Sequence, residues 1–233
     1  MAMEQKQSLK INIQRVGELM SEITPRLTTE ARFRFNMTSQ EALDLLTAAY
    51  RYEVQSRQRP FILDENTESN LIKLAEYLTQ PIPKFGIMCC GTCGNGKTTL
   101  MYAFQRVVNY LQSRRHFTFL DNDNARFRAG MQIFHAKEIV QTAKDYRAFE
   151  ELRDRPMLAV DDMGTEPTEV LDYGNLLSPV VDLIEHRYNR QLFTFITTNL
   201  VGKQIRDKYG DRIADRFNEM LHVIVFKDIS YRK

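Results

Sequence analysis

Apolar positions recur along this chain with two periods. Helical spacing, at three and four residues, marks Ser39 to Tyr52, with Ser39 as its cap, and Asp64 to Gln80, where Leu71, Leu74, Ala75 and Leu78 share a face. Pro81 and Pro83 end the second helix. From residue 85 the pattern changes to short continuous apolar runs, each followed by a helical stretch. The runs are Phe85 to Cys90, Met131 to Phe134, Pro156 to Val160, Phe193 to Thr198 and His222 to Phe226. Runs of this length predict strands buried on both faces, and their alternation with helices predicts an α/β fold around a parallel sheet. The expected helices cover 99–114, 136–146, 170–190 and 201–219, with Pro179 kinking or splitting the third. Residues 117–128 read as two short strands about an Asp/Asn turn, an excursion from the main sheet with no assignable role.

Length and charge add limits. The 233 residues suit one α/β domain with a smaller helical region. A net charge of +2 does not mark a nucleic-acid binder, so any such surface must be local. No apolar run approaches the ~20 residues of a membrane span and no signal peptide opens the chain, so a cytoplasmic protein with no membrane partner is expected. Met1 to Lys10 reads as a loose polar tail. Arg26, Arg32, Arg34, Arg51, Arg57 and Arg59 make the first part locally basic, either as a solvated face or for docking on an acidic partner or nucleic acid.

The chemistry centres on Phe85 to Thr99. Gly91, Thr92, Cys93, Gly94, Asn95, Gly96, Lys97 and Thr98 have the spacing of a P-loop between a strand and a helix. Residue frequencies give such a match by chance in about 1% of chains this long, and the strand–helix context lowers that further. The glycines allow successive N–H groups to curl around phosphate, Lys97 reaches the β- and γ-phosphates, and the Thr98 hydroxyl ligates Mg²⁺. Thr99 opens the helix whose positive end faces the same anion. All three cysteines, Cys89, Cys90 and Cys93, lie in this stretch. Cys90 and Cys93 form a C-x-x-C, but no second Cys/His pair exists to complete a zinc site, and the histidines are scattered singly. The cysteines read instead as small residues of a tight turn.

Pro156 to Asp162 is an apolar run that ends in two acids, the Walker B form. Asp161 is expected to hold Mg²⁺ and Asp162 to polarise the attacking water. Asn199, at the tip of the Phe193 strand, is expected beside the γ-phosphate. Arg212 and Arg216 stand one helical turn apart, either as surface charges or as an arginine finger for a neighbouring subunit.

Taken together, the P-loop at 91–98, Asp161-Asp162, Thr197-Thr198-Asn199, the run from Gly210 to Arg216 and Ser230-Tyr231-Arg232 resemble the DnaC-type helicase loaders and the related IstB transposition ATPases, both of the AAA+ class. The resemblance covers about residues 64–233. It implies a three-layer α-β-α P-loop NTPase of ASCE type with a five-stranded parallel sheet in the order 5-1-4-3-2; as a departure from the AAA+ pattern, no helical lid is expected after the last strand. It implies an AAA+ domain over 61–233 and an N-terminal helical partner-binding region over 1–60. It also implies Asn199 as the γ-phosphate sensor and Arg216 as the finger, with Arg212 the alternative. Contacts to single-stranded DNA are implied for Lys144, Tyr146 and Tyr173. The implied ligands are ATP and Mg²⁺. The implied partners are a ring-shaped replicative helicase, single-stranded DNA and further copies of the chain in an ATP-dependent oligomer. Asp162 stands where many AAA+ proteins have Glu, which makes slow turnover the expectation. The function implied is helicase loading in DNA replication. A transposition helper ATPase and a nucleotide-gated adaptor with negligible hydrolysis are the alternatives.

Overall fold

The computed structural model describes residues 12–23, 32–114, 117–118, 130–172, 174–227 and 231. The chain divides into two compact units, Met1–Glu30 and Ala31–Lys233. In the first, helix α1 (Ile13–Ile23) exposes Ile13, Val16 and Met20, which recur at helical spacing.

The second unit runs through β1 (Arg34–Phe35), α2 (Ser39–Ser56), α3 (Glu65–Thr79), β2 (Gly86–Cys90), α4 (Lys97–Arg114), β3 (Phe117–Thr118), β4 (Gln132–His135), α5 (Ala136–Thr142), α6 (Tyr146–Arg153), β5 (Met157–Met163), β6 (Val170–Asp172), β7 (Asn175–Leu177), α7 (Pro179–Asn189), β8 (Phe193–Thr198), α8 (Gly202–Tyr209), α9 (Asp211–Met220) and β9 (Leu221–Val225). The main sheet has the order β4-β5-β8-β2-β9, and all four pairings are parallel. Counting these strands alone in chain order, and reading from the β9 edge, the order is 5-1-4-3-2, as the resemblance implied.

Side-chain alternation builds three layers. Ile87 and Cys89 on β2, Met157 and Ala159 on β5, and Phe193 and Phe195 on β8 join the core formed with α2, α3 and α4. The intervening Met88, Leu158, Val160 and Ile196 join the opposite core, under α5 to α9. Strands covered on both faces read as unbroken apolar runs, which is why the sequence located them.

Several helices differ from expectation. The cap of α2 is Thr38, not Ser39: its hydroxyl accepts the Glu41 N–H at 3.2 Å, and the Glu41 carboxylate accepts the Thr38 N–H at 2.8 Å. The stretch 136–146 is helical only to Thr142, and a second helix, α6, starts after Asp145, whose carboxylate accepts the Ala148 N–H. The long helix expected over 170–190 is a β-hairpin, β6–β7, followed by α7. Pro179 sits in the first turn of α7, where its missing N–H costs nothing, so it starts a helix and does not kink one. Helix 201–219 is two helices, divided at Gly210, whose φ of 85° a helix cannot contain. The expected excursion is described only at β3, which pairs antiparallel with β1 outside the main sheet; residues 119–129 lie outside the described residues. The compact unit starts at Ala31, so α2 belongs to it, and a boundary near residue 60 separates stretches of sequence within one body.

One buried side chain ties strand ends together. Arg187 on α7 is fully buried. It donates to the carbonyls of Arg153 at 3.0 Å, Arg155 at 2.7 Å and Phe193 at 2.6 Å, and to the Thr194 hydroxyl at 2.9 Å. Burial pushes its guanidinium down to about 9.

Candidate nucleotide-binding site

The C-terminal edge of the parallel sheet gathers the predicted residues. The P-loop leaves β2 at Cys90 and enters α4 at Lys97. At Gly96 φ is 97°, and a Cβ there would stand 2.5 Å from the Tyr50 hydroxyl, so both conformation and space require glycine. Lys97 is 5% exposed. Its ammonium lies within hydrogen-bond distance of Gly91 O at 2.8 Å, Thr92 O at 2.6 Å, Asn95 Oδ1 at 3.0 Å and Asn199 Oδ1 at 2.8 Å. Burial lowers its pKa below the usual lysine value, while the neighbouring Cys93 and Asp162 act the other way.

The two acids differ in surroundings. Asp161 Oδ1 accepts from the Thr98 hydroxyl at 3.0 Å and from the Thr197 hydroxyl at 2.5 Å. The β5–β8 register shifts between Val160 and Met163, a bulge that places both acids at the strand end. Asp162 has a left-handed backbone, with φ of 52°. Its N–H donates to the Thr197 hydroxyl at 2.9 Å, and its carboxylate faces His135 Nε2 at 3.9 Å. His135 Nδ1 accepts the Lys137 N–H at 3.2 Å, so in the neutral ring the proton is on Nε2, toward Asp162.

A hydroxyl and a carboxylate oxygen meeting at 3.0 Å suit a hard divalent cation that takes its other ligands from phosphate and water. Thr98 and Asp161 therefore fit Mg²⁺. Among the described residues no group of three His, Cys, Asp or Glu side chains could hold a metal ion. Cys89 and Cys90 are buried, with their thiols pushed up by burial, and Cys93 is exposed; none is bonded to another.

The other predicted residues are spread more widely. Arg212 and Arg216 both reach Glu185 on α7, at 3.1 and 2.8 Å. The Arg212 side chain is 71% exposed and that of Arg216 only 12%, and the Arg216 guanidinium lies 4.9 Å from the centre of the Tyr188 ring. Lys144 and Tyr146 flank the exposed turn between α5 and α6, with the Tyr146 hydroxyl donating to Glu150 at 2.8 Å. Tyr173 lies outside the described residues. Sequence reasoning missed His135 and Thr197 as partners of the acids. Their positions at the ends of strands flanking β5 were the available signal, since parallel strands present their final residues along one edge.

A five-stranded parallel sheet in this order, with a P-loop and a strand-end acid pair at its C-terminal edge, defines a P-loop NTPase fold. At the level of fold the chain is like a DnaC-type helicase loader. It is similar to the crystal structure of the DnaC helicase loader, with a TM-score of 0.51 and 20% identity over 76% of this chain and 98% of that one. It is similar to DnaI, with a TM-score of 0.53 and 19% identity over 78% and 93% of the two chains. A third likeness is to a putative primosome component from Streptococcus pyogenes serotype M3, with a TM-score of 0.52 and 16% identity over 79% and 91%. No family model matches the sequence, and no curated protein matches it.

Proposed function

We propose that this protein is an ATP-binding and slowly hydrolysing helicase loader of DNA replication. The observation that carries the reading is the 2.8 Å approach of Lys97 Nζ to Asn199 Oδ1, which brings the P-loop cation and the β8 tip amide to one point. Lys97 and the loop N–H groups bind the triphosphate. Mg²⁺, held by Thr98 and Asp161, would neutralise charge on its oxygens. Asp162 accepts hydrogen bonds from the attacking water, and Asn199 orients that water and reads the γ-phosphate. Arg216 of an adjacent copy, with Arg212 the alternative, completes the site, so ATP joins two subunits and hydrolysis parts them. The segment up to residue 60 docks the ring helicase, and Lys144, Tyr146 and Tyr173 touch single-stranded DNA.

The test uses the full chain. Lys97→Ala should abolish ATP binding, measured by equilibrium titration, and ATP should change how much replicative helicase is retained in a pull-down. ATP binding that survives Lys97→Ala, or retention indifferent to both ATP and Lys97→Ala, would sink the proposal. If wild type and Asp162→Asn alike bind ATP without hydrolysing it, the protein is a nucleotide-gated adaptor.

A further inference from the structure

The two strand acids are only partly buried, but a carboxylate just beyond them is enclosed. Glu166, four residues after Asp162, is 2% exposed. One of its oxygens accepts the Gly164 N–H at 2.8 Å. The other accepts the hydroxyl of buried Tyr209, the last residue of α8. Burial and this carboxylate drive the Tyr209 phenol far above the usual tyrosine range, so its hydroxyl remains the donor. Lys208 closes the same corner, its ammonium donating to Gly164 O at 2.8 Å and Glu166 O at 2.6 Å. The turn is close-packed here, since a Cβ on Gly164 would stand 2.8 Å from the Leu200 side chain.

The turn thus has two fixed ends. On one side is Asp162, in a conformation that persists only where the surroundings impose it. Its carbonyl accepts from Thr165 N at 3.2 Å and Thr165 Oγ1 at 2.9 Å, and Met163 O accepts from Thr198 Oγ1 at 2.6 Å. On the other side the chain passes from Tyr209 through Gly210 directly into α9, which carries Arg212 and Arg216. The Glu166 carboxylate joins the turn to Tyr209 at the end of α8, beside the two bonds that Lys208 makes to the turn's carbonyls.

We propose that Glu166 is a positioning residue that couples the two contributions this chain makes to ATP hydrolysis. It fixes Asp162, offered to the chain's own nucleotide, and through Tyr209 it fixes the α8–α9 corner, from which an arginine reaches the nucleotide of a neighbour. A shift of the post-strand turn on hydrolysis is thereby transmitted to the arginine helix. This rests on the ATPase reading above, and the experiments separate the two.

Glu166→Gln keeps the shape and removes the charge; Tyr209→Phe keeps the ring and removes the hydroxyl. Each should lower kcat about 10-fold, with KM for ATP within about twofold and the melting temperature nearly unchanged, since small displacements of a catalytic group cost rate steeply. Next, wild-type protein is mixed with an excess of Lys97→Ala, or of Lys97→Ala carrying Glu166→Gln. Neither partner has a working nucleotide site, but both supply arginine. The double variant should support less hydrolysis per wild-type subunit. Equal support, or a Glu166→Gln kcat equal to wild type, overturns the coupling. Hydrogen exchange without nucleotide gives a readout independent of hydrolysis. Glu166→Gln should speed exchange over 211–216 as well as 162–166, and acceleration confined to 162–166 overturns the proposal even if the protein never hydrolyses ATP. Wild-type protein that does not bind ATP refutes the function proposed above and leaves the exchange result to decide the coupling.

Discussion

A left-handed aspartate costs on the order of 1 kcal/mol or more, and at Asp162 the cost is borne where two hydroxyls and a histidine converge. The two arginines are a similar case of placement deciding chemistry. Glu185 holds both, and Arg216 must leave that carboxylate and the Tyr188 ring to reach anything outside its own chain. Arg216→Ala should spare ATP binding and lower hydrolysis by about 1,000-fold, as measured by phosphate release, with a smaller loss for Arg212→Ala. The opposite ranking would give the finger role to Arg212. Lys97, Thr98, Asp161 and Asn199 were legible in the sequence because backbone spacing alone sets a P-loop and a strand tip. His135, Thr197 and Glu185 were not, because their contacts come from neighbouring strands and helices far away in the chain.

Among elements, the core strands were readable because both of their faces are apolar. The hairpin β6–β7 was not. Leu171 and Leu176 face each other across it and remain exposed, so spacing that looked like a helical stripe was a cross-strand pair. Strand β9 lies at the sheet edge, and its His222 stacks on Tyr77 of α3 with ring centres 4.7 Å apart. Burial first, then Lys84 and Lys73, hold this imidazole below its usual pKa. The unfolded chain therefore takes up the proton first. The His222 contribution to stability is complete above about pH 6.5 and is lost as pH falls below that toward the folded value. Urea midpoints of wild type should fall between pH 7 and pH 5.5 by more than those of His222→Phe. Parallel pH profiles would refute this.

Considered as a whole, the second unit joins the nucleotide loop to the first part of the chain more closely than the sequence suggested. Arg57, at the end of α2, donates to the Thr99 hydroxyl at 2.8 Å, and Tyr50 lies against Gly96. No charge pattern announces such a contact, and Arg57 had read as part of a basic face. If a neighbour's arginine completes the site, apparent ATP affinity should tighten as protein concentration rises; a dissociation constant independent of concentration would refute assembly by ATP. Arg187 has a consequence at this scale too. It grips the entry of β8 and the approach to β5, the strands whose opposite ends present Asn199 and Asp161. The P-loop edge is therefore calibrated from the far side of the sheet. A substitution there, remote from the P-loop, would be felt as a misaligned Asn199 and Asp161 before it was felt as an unfolded protein.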